Sequence, residues 1–93
     1  MAGVSLQEGF RIPERILFRR VDTEMAVVNT DTGTYFGLDE VGTRVWELIA
    51  EHGSLQAVAD RMREEFDVDP QRLEADLLQL VDQLLADGLV ERT

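Results

Sequence analysis

The stretch TDTGTYFGLDEVGTRVWELI, Thr30 to Ile49, decides the fold. Asp31 to Gly33 supplies the Asp and Gly of a tight hairpin turn. Thr34 to Leu38 (TYFGL) reads as a strand built around Tyr35 and Phe36. The hydrophobic period then switches from 2 to 3.6 with almost no connecting loop. Asp39 is placed to cap a helix whose apolar positions are Val41, Val45, Leu48 and Ile49, with Trp46 beside them. Nothing in the stretch is a nucleophile, a metal ligand or a phosphate cradle.

Upstream, Glu14–Asp22 and Met25–Asp31 are rich in apolar and β-branched residues and are separated by a polar DTE. They predict two antiparallel strands that join TYFGL in a three-stranded meander. Residues 1–10 carry no period and are expected to be a loose leader into the fold. Downstream, Gly53 ends the first helix and Ser54 caps the second, whose apolar stripe is Leu55, Val58, Ala59, Met62 and Phe66. Asp69 as cap and Pro70 at the first helical position start a third helix, which runs to about Asp87 and stops at Gly88. LVERT closes the chain as a short extended tail. The plan is α+β, a three-stranded antiparallel sheet followed by three helices, and its helical half resembles a winged helix-turn-helix. Residues 1–93 are read as a single domain, without repeat or linker.

With 93 residues there is room for one small core, and 44% hydrophobic content with a mean hydropathy of −0.16 is that of a globular chain. No apolar run approaches the roughly 20 residues that span a bilayer, and no signal-peptide pattern opens the chain. A cytoplasmic location without membrane attachment is expected. There are no cysteines, which excludes disulfides and thiolate chemistry. Nineteen acids face nine bases, all arginine, for a net charge of −10.

Candidates for chemistry are few. His52, the one histidine, falls at a helix C-terminus, where the helix dipole favours a cationic imidazole. Acidic residues alternate in DVDPQRLEAD without the glycine and terminal glutamate of a calcium loop. No cofactor or metal is expected, and no residue supports a hydrolase or transferase reading. In a helix-turn-helix the third helix would read DNA. From Pro70 to Asp87, however, Arg72 alone faces Glu74, Asp76, Asp82 and Asp87, a net −3 that opposes phosphate and base contacts. No nucleic acid partner is expected.

The third helix carries two neighbouring stripes: Leu73, Leu77, Leu80 and Leu84, then Leu78, Val81, Leu85 and Leu89. Together they span roughly 180°, against the ~100° of an ordinary surface helix. Either the helix is wedged between two elements, or one margin is left open as a groove beside the third strand.

The Thr-Gly-x-Tyr-aromatic-x-Leu strand, the acidic cap, Gly-x-x-x-Trp-x-Leu and the Asp-Pro before the last helix, in this order from about Phe18 to Val90, resemble the PqqD family. Its members are also known as RiPP recognition elements, after the ribosomally made peptides whose precursors they bind. The resemblance implies a protein that is not an enzyme. Such proteins hold the leader of a precursor peptide as an added strand on the third strand of the sheet, with apolar side chains in a groove against the third helix. Carried over, the strand is Thr34, Tyr35, Phe36, Gly37 and Leu38. The groove wall is Leu73, Leu77, Leu80 and Leu84, with Arg72 and Asp76 at its polar margin, and Leu78, Val81 and Leu85 become core. The chain lacks the lysine-leucine-asparagine stretch of pyrroloquinoline quinone members. Its aromatic pair and Trp46 helix look more like the stand-alone members of lasso peptide clusters. There the implied partners are a precursor with a Tyr-x-x-Pro-x-Leu leader, a leader peptidase and an ATP-dependent cyclase. The alternatives are a peptide chaperone of another pathway, a winged-helix transcription factor and an adaptor with no peptide groove.

Overall fold

The computed structural model describes residues 3–93. Its elements in order are β1 (Phe10–Arg11), β2 (Ile16–Val21), β3 (Glu24–Asn29), β4 (Thr34–Leu38), α1 (Glu40–His52), α2 (Leu55–Glu65), α3 (Pro70–Ala86) and β5 (Glu91–Arg92). β2, β3 and β4 form the expected antiparallel meander, with β3 in the middle. Paired residues share a face, so Ile16, Met25, Val27 and Asn29 point inward and are buried. Leu17, Val28 and Tyr35 lie in one row on the outer face. Two turns set the register. Asp22 adopts a left-handed φ of 60° in the two-residue β2–β3 connection. Gly33, with a φ of 74°, closes the β3–β4 loop through its N–H to the Asn29 carbonyl (2.8 Å).

The three helices carry the caps read from the sequence. Asp39 accepts from Gly42 N–H, Ser54 from Ala57 N–H and Asp69 from Gln71 N–H. The joint from β4 to α1 is held at three points. Besides the Asp39 cap, the buried Thr43 hydroxyl donates to the Leu38 carbonyl (3.2 Å). A Cβ at Gly42 would meet Asp39 Oδ1 at 3.2 Å and Leu38 Cβ at 3.4 Å, so glycine lets α1 start close against the strand. One turn on, Trp46 fills the middle of the core, its ring edge-on to Phe18 at 5.4 Å. Its indole N–H has no hydrogen-bond partner, a cost accepted for the apolar area that the ring buries.

Arg44 ties α1 to α2 with a two-pronged bond to Glu65 (2.6 and 2.7 Å) and reaches Glu47, which also takes Arg20 of β2. The Arg44 guanidinium holds the Glu65 carboxyl below its ordinary value, and the carboxylate in turn raises Arg44.

From Val4 onward the N-terminal segment is not loose. Phe10 is 1% exposed, and Val4, Leu6 and Ile12 pack against the core. β1 pairs with β5, forming a second, two-stranded sheet, and Leu55 N–H donates to the Glu8 carbonyl (3.1 Å). Arg92 lowers the Glu8 carboxyl through a side-chain hydrogen bond. The extended tail thus finds its partner at the other end of the chain. Met1 and Ala2, which the loose-leader expectation also included, lie outside the described residues.

Candidate functional site

β4 is an edge strand, and the ladder fixes which of its groups are free. Thr30 N–H donates to the Arg15 carbonyl (3.0 Å), just beyond the Ile16–Asn29 pair. That bond marks Ile16–Asn29 as a non-hydrogen-bonded pair, so Asn29 turns its own N–H and C=O towards β4. Thr34, Phe36 and Leu38, opposite Asn29, Val27 and Met25, therefore bond inward to β3. Tyr35 and Gly37 point their main-chain groups out along the open edge. Both residues are exposed, Tyr35 at 66%, and a Cβ at Gly37 would meet nothing within 4 Å. An edge of this kind is a template for another strand.

Beside the edge runs a cleft. β4 packs on β3 and α1, while α3 packs on α2. Two hollows lie along the resulting gap. The first, about 200 Å³, is walled by Val41 and Val45 of α1, Met62 at the end of α2, Phe66 and Val68 of the following loop, and Arg72, Leu73, Asp76, Leu77 and Leu80 of α3. The second, about 420 Å³, is bounded by Gly37, Leu38, Asp39, Val41, Gly42 and Leu80. Val41 and Leu80 belong to both, so the hollows adjoin one another between β4 and the junction of the three helices.

The residues expected at the groove divide into two groups. Leu80 is half-buried at the lip, with Arg72 and Asp76 exposed at the rim, their charged groups 3.9 Å apart. Leu73 and Leu77 line the first hollow but are 8% and 3% exposed, so they are core residues that present one side to it. Leu84, 3% exposed, lines neither hollow and sits in the core. On the opposite margin Val81 is fully buried, whereas Leu78 and Leu85 are half-buried. The buried face of α3 is centred on Leu77, Val81 and Leu84, and the groove takes the flank carrying Arg72, Leu73, Asp76 and Leu80 together with one side of Leu77.

Five residues of the first hollow lie outside the expected set, Val41, Val45, Met62, Phe66 and Val68, as do Asp39 and Gly42 of the second. Val41 carried a signal. It belongs to the α1 stripe, yet it is 47% exposed because the cleft opens at the first turn of the helix. Val68, exposed between Asp67 and Asp69, belongs to no helical stripe.

His52 stands in the last turn of α1, 3.7 Å from Glu51, on a separate hollow bounded by Phe10–Glu14 and Ile49–Gly53. Among the described residues no group of three histidines or acids is arranged to hold a metal ion. No helix among them is long and apolar enough to cross a membrane. The geometry offers main-chain pairing beside an apolar trough, an arrangement suited to an extended peptide.

Comparison with known proteins points the same way. The family model for coenzyme PQQ synthesis protein D (PqqD) matches residues 24–90. A solved structure described as TbiB1 in complex with the TbiA(beta) leader peptide is 33% identical over 87% of this chain and 94% of that one, with a TM-score of 0.83. A second, a lasso peptide synthetase B1 complexed with the leader peptide, is 23% identical over 89% and 98% of the two chains. Its TM-score of 0.80 shows the same fold. Among curated protein sequences none matches significantly.

Proposed function

The chain belongs to the PqqD family, and from that premise we propose that it binds the leader segment of a ribosomally made precursor peptide. It presents that precursor to the leader peptidase and the ATP-dependent cyclase of a lasso peptide pathway, in the cytoplasm, and does no chemistry itself. The observation that carries this reading is the open edge of β4, with Tyr35 and Gly37 directed outward beside the apolar cleft. The 33% identical relative bound to a leader peptide supports it.

In the complex the leader lies antiparallel or parallel to Thr34–Leu38 and exchanges hydrogen bonds with Tyr35 and Gly37. Each such bond contributes a net ~0.5–1.5 kcal/mol. Apolar side chains of the leader enter the cleft over Leu38, Val41 and Leu80 and reach the hollow floored by Leu73 and Leu77. A side chain fully buried there contributes about 1.5–3 kcal/mol. Arg72 and Asp76 meet its polar neighbours, Thr34 and Phe36 hold the strand on the sheet, and Leu84 supports the floor from the core. Register is set by the pockets, since the main-chain bonds alone tolerate a slip of two residues.

The test is a titration of the labelled leader, taken from the precursor encoded beside the gene, followed by fluorescence anisotropy. Saturable one-to-one binding is expected, with faster leader removal by the peptidase when this protein is present. A leader that neither binds nor is cleaved faster would overturn the proposal.

A further inference from the structure

The charges of this molecule are sorted by position. Away from α3 the arginines other than Arg19 are matched by nearby acids: Arg20 and Arg44 share Glu47, Arg44 also takes Glu65, and Arg92 takes Glu8. From Asp67 to Asp87 the balance is lost. Asp67, Asp69, Glu74, Asp76, Asp82 and Asp87 face a single base, Arg72.

Of the three acids inside α3, Asp76 alone projects on the flank that carries Leu80, about 40° from it, while Glu74 and Asp82 project away from that flank and the caps Asp69 and Asp87 stand at the two helix ends. That flank borders the cleft, and Asp76 lines its first hollow. Asp67 is exposed between Phe66 and Val68, two further lining residues. On the opposite bank Asp39 bounds the second hollow and Glu40 is exposed beside it. β4 itself carries no charge. Arg72, 3.9 Å from Asp76, is the one base lining this apolar trough; carboxylates outnumber it along the two banks, and low-dielectric walls focus the net negative field on whatever lies between them.

We infer that the cleft selects a basic leader, one whose apolar anchors are flanked by lysine or arginine, and that Asp67 and Asp76 determine this specificity. The inference rests on the strand-addition reading and adds to it the charge of the occupant. Alternate residues of an added strand point to opposite faces. Anchors can therefore face the trough while flanking cations reach the two acidic banks. An acidic leader of the same apolar pattern would meet like charge on both sides and be rejected.

The test is a selection of random displayed peptides, each long enough for one strand. The full-length protein, the D67K/D76K variant and the Leu80→Asp variant serve as baits at about 50 mM and about 500 mM NaCl, which brackets strong and weak screening. Both altered acids are exposed and neither caps a helix. The wild-type pool at low salt should be rich in Lys and Arg around apolar residues. A representative winner should bind at least about tenfold more weakly at high salt, and at least about tenfold more weakly to D67K/D76K at low salt. Should that variant fail to fold, as judged by circular dichroism, the composition and salt dependence of the wild-type pool decide alone. An apolar pool with no charge bias and no salt dependence would overturn the charge inference and leave strand addition standing. Winners that bind the folded Leu80→Asp variant as well as wild type would overturn the cleft reading itself.

Discussion

Replacing Leu80 with aspartate separates binding from folding at this cleft. Leu80 is half-buried, lines both hollows and stands between β4 and α3. Fully burying a leucine is worth about 1.5–3 kcal/mol, and only its still-exposed part is gained when a peptide arrives, so the lost apolar contact is about 1 kcal/mol or less. The new carboxylate adds the larger effect. Covered by the peptide without a partner, it costs a further ~1–3 kcal/mol. A total of about 2–3 kcal/mol is a fall of about 30- to 150-fold in leader affinity. The free protein should stay folded, because the carboxylate at the lip reaches water. Leu77→Asp is the contrasting variant. Leu77 is 3% exposed, so its carboxylate would be buried in the free protein, a cost that rivals the ~5–15 kcal/mol of a whole domain. It should unfold rather than bind weakly. Anisotropy titration of a labelled leader, with thermal melts by circular dichroism, reads both effects. A folded Leu80→Asp protein with wild-type affinity would refute the placement of the cleft.

Three further outcomes follow from the geometry. Phe10→Ala should lower stability by about 3–5 kcal/mol in urea denaturation, because the ring is enclosed by the core; a loss under ~1 kcal/mol would restore the loose-leader reading. Proline at Gly37, whose N–H faces the open edge, should leave the sheet folded and weaken leader binding. Proline at Phe36 removes a donor to β3 and should disrupt the sheet itself, a difference visible by circular dichroism. Glu8 and Glu65 both have carboxyls held below the ordinary 4.5 by hydrogen bonds to Arg92 and Arg44. Their contribution is therefore complete above about pH 4.5 and is lost as pH falls through the lowered folded-state values. Melting temperature should accordingly hold from neutrality to about pH 5 and drop below about pH 4.5, with Arg44→Ala flattening that drop.

The elements that the sequence announced are those with local signals. Asp39, Ser54 and Asp69 each sit one residue before a regular period, and each caps its helix as a side-chain acceptor. Gly33, Gly53 and Gly88 all adopt positive φ at the turns and stops where the chain changes direction. What escaped was non-local. β1 and β5 are two residues each, too short for any period, and their pairing joins Phe10 to Arg92 across almost the whole chain. The cleft shows the same limit. A wide apolar arc on α3 identified a helix with two occupied margins. The depth of each leucine, however, depends on where α2 packs, and Val41, Val45, Met62 and Phe66 complete the hollow from elsewhere in the chain.

The central claim is that a peptide pairs with the open edge of β4, and amide hydrogen exchange resolved residue by residue tests it most directly. In the free protein the Phe36 and Leu38 amides, bonded to β3, should exchange slowly, and those of Tyr35 and Gly37 should exchange fast. Saturating leader should slow Tyr35 and Gly37 by at least about tenfold and leave Phe36 and Leu38 protected as before. A bound leader that leaves Tyr35 and Gly37 exchanging at their free rates would contradict strand addition at β4.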